Sequence, residues 1–471
     1  MTSAATANNT SREHIHFVTG RLAEHAVRGI VEQVASSVGF SYSIDVLPIT
    51  VAALMTPKWL LRHVAVPSIA TRVIVPGYLK EGIDEIAQQL NIRVDSGPRD
   101  IRDLPEFFGK KRQFDASVNE YRIEIIAEIN HAPRLAIDDL VDVAKRLQSE
   151  GADVIDIGCD PGTRWLQVGE VVKRLRDLGI RTSIDSFDVN EVSDACSAGS
   201  ELVLSVNSHN MHAAVDWGRE VVVIPDTPDD KKNFEKTIDF LSTRDIPIRI
   251  DPILEPIGCG FARSLMRYVA CREQYPEASM MMGIGNITEL TDADSAAINV
   301  VLLGFCEELQ INSVLTTQVI NWSRTAVREC DLARRLVHYA VRNRIPPKHI
   351  QSQLVLLRDE KLKQFPSEMF AELAKTIRDN NLRIYAQDGL IHLVSAGLNV
   401  SGSDPYEVMQ QLLASHLGPT IDASHAFYLG FELSKASTAL TLGKQYEQDV
   451  ALDWGFLTQQ EKHHRLPRGR K

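Results

Sequence analysis

The sequence predicts an α/β protein with a central (β/α)8 TIM barrel, a small N-terminal α/β domain and a C-terminal α+β domain. Between residues 121 and 342, short apolar runs rich in Val and Ile alternate with segments of helical periodicity. Eight such strand–helix units fit this stretch, which matches both the number of units and the length of a (β/α)8 barrel. A doubly wound open sheet is the alternative, because a single sequence fixes the number of strands poorly.

Each predicted barrel strand is an apolar run that ends at a polar or turn-forming residue. In chain order they are YRIEIIAEI (121–129), DVIDIG (153–158), RTSIDS (181–186), LVLSV (202–206), EVVVIPD (220–226), IPIRIDP (246–252), SMMMGIG (279–285) and SVLTTQV (313–319). A helical pattern follows each strand, as in residues 136–150 and 295–309. This alternation predicts a parallel sheet with crossover helices.

The flanking segments predict three domains, at residues 1–118, 119–343 and 344–471. The first contains a strand–turn–helix pattern, FVTG followed by RLAEHAVRGIVEQVASSVG. The Pro346–Pro347 pair is expected to stop the last barrel helix. Beyond it, NLRIYAQDGLIHLVSA predicts a hairpin around Asp388–Gly389, and helical sequence continues to about Leu442. The basic segment HHRLPRGRK (463–471) is expected to be a solvated tail.

Composition excludes several classes of protein. The chain has 51 basic and 62 acidic residues, a net charge of −11, which argues against a nucleic-acid partner. We find neither a secretory signal nor an apolar run long enough to span a membrane. The six cysteines form no Cys-x-x-Cys pair, which favours reduced thiols in a cytoplasmic protein. The oligomeric state stays open, with a homodimer as one alternative.

In a (β/α)8 barrel, the chemistry lies at the carboxyl ends of the strands. Nearly every predicted strand delivers an acid, an amide or a hydroxyl there. These residues are Asn130, Asp156, Thr163, Arg164, Asp185, Asn207, Asp226, Asp251, Asn286, Thr316, Thr317 and Asn321. Any one of them alone is an ordinary loop cap, but their recurrence indicates a site. Carboxylates and amides suit a flat heterocycle that carries N–H and NH2 groups. Histidine, which a catalytic metal site would favour, occurs near these ends only in loops, as His131 and His209.

Four motifs in order carry a family resemblance. They are GADVIDIGCDPGTR (151–164), TSIDS with Asp185, LVLSVN with Asn207, and IRIDP with GCGFARS around Asp251 and Arg263. Together they resemble the dihydropteroate synthases. The resemblance implies that Asp185, Asn207 and Asp251 hold the edge of a pterin. It also implies that Thr163 and Arg164 meet a pyrophosphate leaving group, for which the planar guanidinium of Arg164 is well shaped.

The sequence also departs from the synthase pattern. The first loop, INHAPRL, keeps Asn130 but lacks the Thr-Pro-Asp-Ser-Phe run of the synthases. Asn286 stands where the synthases carry a Lys, and LTTQVINW replaces their Arg-x-His. An Asn at the seventh strand resembles pterin methyltransferases instead. The eighth-strand segment and the two added domains resemble the dihydropteroate-synthase-related proteins of methanopterin biosynthesis.

The resemblance implies an enzyme that joins a dihydropterin-methyl pyrophosphate to an arylamine and releases pyrophosphate. Asn130 and Arg164 are the expected catalytic residues, with Asn130 as the ligand of a pyrophosphate-bound Mg²⁺ ion. Asn286 is expected beside the pterin. Arg263 and Arg324, near helix starts, are expected to bind the phosphate of an arylamine that carries a ribose phosphate. Two alternatives stay open: a methyltetrahydropterin-dependent methyltransferase and a non-catalytic pterin-binding protein.

Two further charges fall on strand positions that should be apolar. Glu128 shares a strand face with Asn130, and Arg249 shares one with Asp251, so both are expected inside the barrel. The sequence therefore predicts a buried ion pair between Glu128 and Arg249, because an unpaired buried charge is very costly. Asp156 is expected under the second loop, either as part of the site or as a structural acid.

Overall fold

The computed structural model describes the chain as two compact units, residues 1–351 and residues 352–471. The described residues are 13–111, 116–348, 350, 353–354, 357, 359, 362–379 and 381–461. The segment 463–471, for which a solvated tail is predicted, lies outside these residues. The domain boundaries predicted from the sequence stay predictions.

A parallel four-stranded sheet begins the first unit. Its strands are β1 (His14–Gly20), β2 (Ser41–Leu47), β3 (Arg72–Val75) and β4 (Arg93–Ser96), in the order β2-β1-β3-β4. Its helices are α1 (Glu24–Val38), α2 (Pro57–His63), α3 (Ile83–Leu90) and α4 (Leu104–Phe107). Ile15 and Phe17 pack with α1 on one face, while Val18 packs with α2 and α3 on the other. Alternating side chains of β1 therefore fill two small cores, as expected for an α/β layer domain.

Eight parallel strands close into a barrel, so the doubly wound alternative is excluded. They are β5 (Glu124–Ile129), β6 (Val154–Gly158), β7 (Thr182–Asp185), β8 (Leu202–Val206), β9 (Glu220–Val223), β10 (Ile248–Ile250), β11 (Ser279–Gly283) and β12 (Ser313–Thr316). Each strand pairs with the next, and β12 pairs with β5 to complete the ring. The eight strands predicted from the sequence are confirmed.

Helices surround this barrel, one after each strand, with one short addition. They are α5 (Ile137–Glu150), α6 (Val168–Asp177), α7 (Val189–Ala198), α8 (Met211–Trp217), α9 (Lys231–Ser242), α10 (Phe261–Gln274), α11 (Gly285–Thr288), α12 (Ser295–Glu308) and α13 (Ala326–Arg342). The four-residue α11 is the addition, and it follows β11 directly. It places Asn286 within the turn that leaves that strand.

Alternation along β5 decides which side chains face the barrel interior. Ile125, Ala127 and Ile129 are buried in the core between the strands and the helices. Ile126 belongs instead to an inner cluster with Val154 and side chains of four other strands. Because strand residues two apart share a face, the carboxylates of β5 on either side of Ile126 point inward as well.

The predicted ion pair between Glu128 and Arg249 does not form. Arg249 bonds instead to Glu124, with Nη1 2.5 Å from a carboxylate oxygen, and to Glu220, with Nη2 at 2.8 Å. The prediction that Glu128 and Arg249 point into the barrel is correct, but the predicted partner of Arg249 is wrong. Barrel strands are staggered by the shear, so Arg249 lies level with the start of β5 rather than with its end.

The second unit is a three-stranded antiparallel sheet with helices. Its elements are β13 (Arg383–Gln387), β14 (Leu390–Ser395), β15 (Leu398–Gly402), α14 (Ser367–Thr376), α15 (Pro405–Ala414) and α16 (Ala423–Leu442). The predicted hairpin at Asp388–Gly389 is confirmed: β13 pairs with β14, and both turn residues have positive φ. The prediction of helical sequence directly after the hairpin is wrong at β15, an edge strand whose single buried apolar residue is Leu398.

Within the described residues, none of the helices combines the length and the apolar character that crossing a membrane requires.

Candidate functional site at the barrel mouth

Five of the polar residues singled out in the sequence lie at the carboxyl-terminal mouth of the barrel. They are Asn130 after β5, Asp185 at the end of β7, Asn207 after β8, Asp251 after β10, and Asn286 in α11 after β11. The topology brings them to one rim because all eight strands run parallel and close into a ring.

Asp251 is a buried acid with one oxygen already engaged. Its Oδ1 accepts hydrogen bonds from the Tyr268 hydroxyl at 2.5 Å and from the backbone N–H of Ile253 at 2.8 Å. Burial raises the pKa of Asp251 to about 6, although both hydrogen bonds act in the opposite direction. Tyr268, on α10, is fully buried, and its hydrogen bond holds the Asp251 carboxylate in place. The second oxygen of Asp251 has no hydrogen bond from the described residues.

The loop after Asp251 holds a strained backbone. Ile253 has φ +65°, a left-handed conformation that a β-branched residue rarely adopts. Arg267 stabilises this turn, with Nη2 donating to the Ile253 carbonyl at 3.0 Å. The Nδ2 group of Asn286 donates a hydrogen bond to the Leu254 carbonyl at 2.9 Å. Asn286, which follows β11, is thereby linked to the loop after β10. Strain of this kind accumulates where a fold holds a loop in a fixed functional shape.

A bulge shapes the end of β8 beside Asn207. The β8–β9 register shifts between Val203 and Val206, and Ser205 between them has φ +60°. Asn207 is buried, and its Oδ1 accepts from the His209 backbone N–H at 3.0 Å. Bulges redirect side chains at barrel rims. The Ser205 side chain accordingly counters part of the rise that burial causes in the pKa of Asp185.

Three carboxyl groups crowd the inner wall formed by β5, β6 and β7: Glu128, Asp156 and Asp185. Burial, followed by the charges of Asp185 and Glu289, raises the pKa of Glu128 to about 7. Burial and the charges of Asp185 and Glu128 also raise the pKa of Asp156 well above its ordinary value. Like charges at close range in a dry site do not ionise together, so this group retains protons near neutral pH.

Asp156 forms the buried centre of this wall. Its side chain is fully buried, and Oδ1 accepts a hydrogen bond from the Ser183 hydroxyl at 2.6 Å. Its Oδ2 is buried without a partner among the described residues. From the sequence, Asp156 is either part of the site or a structural acid. Its contacts fit both roles, because one carboxylate oxygen is hydrogen-bonded and the other has no partner among the described residues.

Asn130 also presents an unused acceptor. Its Oδ1 is buried and has no hydrogen-bond partner within the described part of the chain. An amide oxygen is a suitable ligand for Mg²⁺, which prefers oxygen donors and keeps several waters. Asn130 therefore fits the role of a single protein ligand to an ion whose other ligands come from pyrophosphate. Among the described residues, no group of three or more His, Cys, Asp or Glu side chains could hold a metal ion.

The loop after β6 carries Thr163 and Arg164, and both residues are exposed. Arg164 forms an ion pair with Asp194 of α7, with Nη2 2.8 Å from Oδ2. Its neighbour Trp165 is buried, and its backbone N–H donates to the buried Glu191 at 2.5 Å. The loop is thus anchored at Trp165, while Arg164 is held only by an exposed ion pair, which contributes little.

An arginine and a histidine near the mouth are absent from the predicted site. Arg134, in the loop after β5, donates through Nε and Nη2 to Asp160 at 2.8 and 3.0 Å. His131 bonds the same carboxylate through Nδ1 and has φ +53°. Asp160 therefore joins the first and second loops of the mouth. The signal in the sequence is the Asp-Pro-Gly turn, whose Asp160 accepts both bonds.

The remaining predicted residues lie farther out or act as caps. Arg263 is exposed near the start of α10, 3.7 Å from Asp229, and Arg324 is exposed before α13. Asp226 accepts hydrogen bonds from both the backbone N–H and the hydroxyl of Ser208, at 3.0 and 2.6 Å. Asp226 is therefore a loop cap, the ordinary role of such a residue.

Three family models match parts of this chain. The family model described as "Pterin binding enzyme" matches residues 130–239, which contain Asn130, Arg164, Asp185 and Asn207. A family of unknown function (DUF6513) matches residues 13–99, and a family described as PterinBD-DUF4346 matches residues 367–449. The three models thus cover separate parts of the chain.

An uncharacterized protein of Methanocaldococcus jannaschii is 25% identical over 528 residues, covering 93% of this chain and 98% of its own. Among solved structures, Yersinia pestis dihydropteroate synthase with a pterine-sulfa conjugate is 20% identical, with a TM-score of 0.38, covering 47% of this chain and 93% of that one. The Xanthomonas albilineans dihydropteroate synthase complex with 7,8-dihydropteroate is 19% identical, with a TM-score of 0.38, covering 47% and 94%. Residues 130–239 of this chain are therefore similar to the family of pterin binding enzymes.

Proposed function

We propose that the protein is a transferase that joins a dihydropterin-methyl pyrophosphate to an arylamine in the biosynthesis of a folate-type or methanopterin-type cofactor. The observation that carries the proposal is the set Asp185, Asn207 and Asp251 at one barrel mouth, in a chain whose residues 130–239 match the pterin binding enzyme family. These groups supply the acceptors and the amide that the N–H and NH2 edge of a pterin requires.

In this reaction the C–O bond to pyrophosphate breaks, the C–N bond to the amine forms, and the amine loses one proton. The leaving group is good and the pterin can delocalise positive charge, so the protein has mainly to position and to stabilise. Asp251 and Asp185 hold the ring with Asn207. Asn286 lies at the adjacent rim, with its Nδ2 committed to the Leu254 carbonyl and its carbonyl oxygen left for a ligand.

The pyrophosphate is assigned to the first two loops. Asn130, through its unpartnered Oδ1, would hold the Mg²⁺ ion that accompanies pyrophosphate and neutralises its charge. Thr163 and Arg164 lie in the neighbouring loop. Release of Arg164 from Asp194 costs little because both side chains are exposed, so the guanidinium is free to turn to phosphate oxygens.

The arylamine is assigned to the outer rim. Arg263 and Arg324 are exposed cations close to the starts of α10 and α13. A phosphate on a ribose-bearing arylamine would reach such a rim while the amine lies over the pterin. Arg324 has no ion pair among the described residues, and Arg263 has only a 3.7 Å contact with Asp229.

Turnover provides the test. Purified protein is mixed with 6-hydroxymethyl-7,8-dihydropterin pyrophosphate, Mg²⁺ and an arylamine, and pyrophosphate release is measured with and without the amine. The proposal expects release that depends on the amine and is abolished in Asp251→Asn. A pterin that binds without any release would instead support a binding protein. Methyl transfer from a methyltetrahydropterin to a corrinoid protein would support the methyltransferase, the alternative favoured by Asn286.

A further inference from the structure

Glu128 is an ionisable side chain of the mouth for which the reaction outlined above has no use. It projects from the inner face of β5, two residues before Asn130, and is only partly buried. It makes no hydrogen bond or ion pair with any residue that the structure describes. Its carboxyl group is therefore available to a ligand in the mouth.

The fold keeps room for this carboxyl group. A Cβ placed on Gly158 of β6 would lie 2.8 Å from Glu128 Oε1 and 3.1 Å from the Ile129 carbonyl oxygen. Gly158 pairs in register with Asp185, so the space it leaves opens onto the predicted pterin-binding acid. The absence of a side chain at residue 158 thus lets Glu128 reach the mouth.

The groups that face Glu128 are all acidic. Asp156 lies beside it on β6, Asp185 lies on β7, and Glu289 approaches from the end of α11. Asp156 is fully buried and aims an unpartnered Oδ2 into this cluster. None of the described Lys or Arg side chains forms an ion pair with Glu128, Asp156 or Asp185. The unpartnered carboxyl oxygens of this wall suit a ligand that brings N–H donors.

We propose that Glu128 is a specificity residue that accepts a hydrogen bond from a ring N–H present in reduced pterins, and so selects the oxidation state of the pterin. This inference rests on the proposed function, because it presupposes that a pterin occupies the mouth. A 7,8-dihydropterin carries a hydrogen on a ring nitrogen that bears only a lone pair in the fully oxidised ring.

The carboxyl group of Glu128 can distinguish the two rings through its acceptor oxygens. A carboxylate only accepts hydrogen bonds, so it favours the reduced ring, which brings an N–H, and repels the lone pair of the oxidised ring.

Isothermal titration calorimetry under anaerobic conditions tests this inference. The probes are 6-hydroxymethylpterin and 6-hydroxymethyl-7,8-dihydropterin. The unmodified protein should bind the reduced ring at least about tenfold more tightly than the oxidised ring, since a hydrogen bond to a charged group is worth at least that factor. In Glu128→Gln, which has no charged acceptor, most of this preference should disappear.

Two further variants sharpen the result. Glu128→Asp withdraws the carboxyl group by one methylene and should also lose most of the preference. Glu170→Gln removes an exposed acid on the outer helix α6 and should behave like the unmodified protein. Melting temperatures check that each variant is folded. If the unmodified protein binds both pterins equally well, or if Glu128→Gln and Glu128→Asp keep the unmodified preference, the inference is overturned while the proposed function stands. If the unmodified protein binds neither pterin, both are overturned.

Discussion

At the scale of single residues, Asp251 is the side chain on which pterin binding should depend most. Its Oδ1 is committed to Tyr268 and Ile253, which leaves the other oxygen for the ligand. Asp251→Asn should weaken dihydropterin binding at least about tenfold, the value of a lost hydrogen bond to a charged group. Calorimetry measures this effect. Tyr268→Phe keeps the carboxylate and should cost less. An unchanged affinity in Asp251→Asn would show that the pterin does not bind at Asp251.

The arginines of the rim allow a test with two amines. The double variant Arg263→Ala/Arg324→Ala should lower turnover with a ribose-phosphate-bearing arylamine by about tenfold or more, since a lost charge-assisted hydrogen bond is worth that much. Turnover with the plain arylamine should change little. Steady-state kinetics with both amines provides the comparison. Equal losses for the two amines would show that these arginines do not bind phosphate.

The facing of a strand side chain could be predicted from the sequence, but its partner could not. Strand alternation is local, so it correctly placed Glu128 and Arg249 on the inner face. The height at which each side chain meets a neighbour depends on the stagger of the closed barrel, which no local pattern contains. Arg249 therefore forms ion pairs with Glu124 and Glu220 instead of Glu128. The same limit hid the cluster of Glu128 with Asp185.

At the scale of elements, the floor of the barrel depends on Arg249 joining β10 to β5 and β9. Arg249→Met would leave Glu124 and Glu220 without this partner, and it should lower the free energy of unfolding by about 3–5 kcal/mol. Arg181→Met is a matched control, because Arg181 also bonds Glu124 but is 46% exposed, so its loss should cost about 1 kcal/mol or less. Denaturant unfolding compares the two. Similar losses would mean that the barrel floor is not held by a buried ion pair.

The close contact between β5 and β6 gives another test. Gly158→Ala would bring a methyl group to 2.8 Å from Glu128 Oε1 and 3.1 Å from the Ile129 carbonyl. Overpacking of this kind should destabilise the protein by about 1–3 kcal/mol and move Glu128. Gly304→Ala on α12 is the control, since its nearest neighbour would be at an ordinary 3.9 Å. Thermal unfolding decides, and an equal melting temperature for both variants would contradict this packing.

Predictability at this scale follows the strength of local signals. The eight barrel strands and the Asp388–Gly389 hairpin were predictable because apolar runs and a turn pair mark them. The strand β15 was not, because an edge strand buries few side chains and so has little apolar pattern. The bulge at Ser205 could also not be predicted from the sequence. A non-glycine residue with positive φ leaves no mark in the sequence, although it directs Ser205 towards Asp185.

At the scale of the whole molecule, the acidic mouth should make stability depend on pH. Burial raises the pKa of Glu128 from 4.5 to about 7 and that of Asp251 from 3.8 to about 6, so the folded protein holds protons that the unfolded chain has lost. The stability linked to these protons is complete below about pH 4 and is lost as the pH rises towards 7. The free energy of unfolding attributable to them should fall by roughly 1–3 kcal/mol over this window.

Denaturant unfolding at pH 5 and pH 7.5 measures this dependence. The double variant Glu128→Gln/Asp251→Asn should show a flatter profile than the unmodified protein, because both amides are neutral at every pH. Glu170→Gln should reproduce the unmodified profile. A slope that is the same in all three proteins would show that these carboxyl groups do not retain protons in the folded state.

The central claim is that the barrel mouth is a pterin site, and a crystal structure with 6-hydroxymethyl-7,8-dihydropterin bound tests it most directly. The account predicts ring density at the mouth, with its N–H and NH2 edge against Asp185, Asn207 and Asp251 and one ring N–H within hydrogen-bond distance of Glu128. Density for the ring away from these side chains, or a mouth without pterin at saturating ligand, would contradict it.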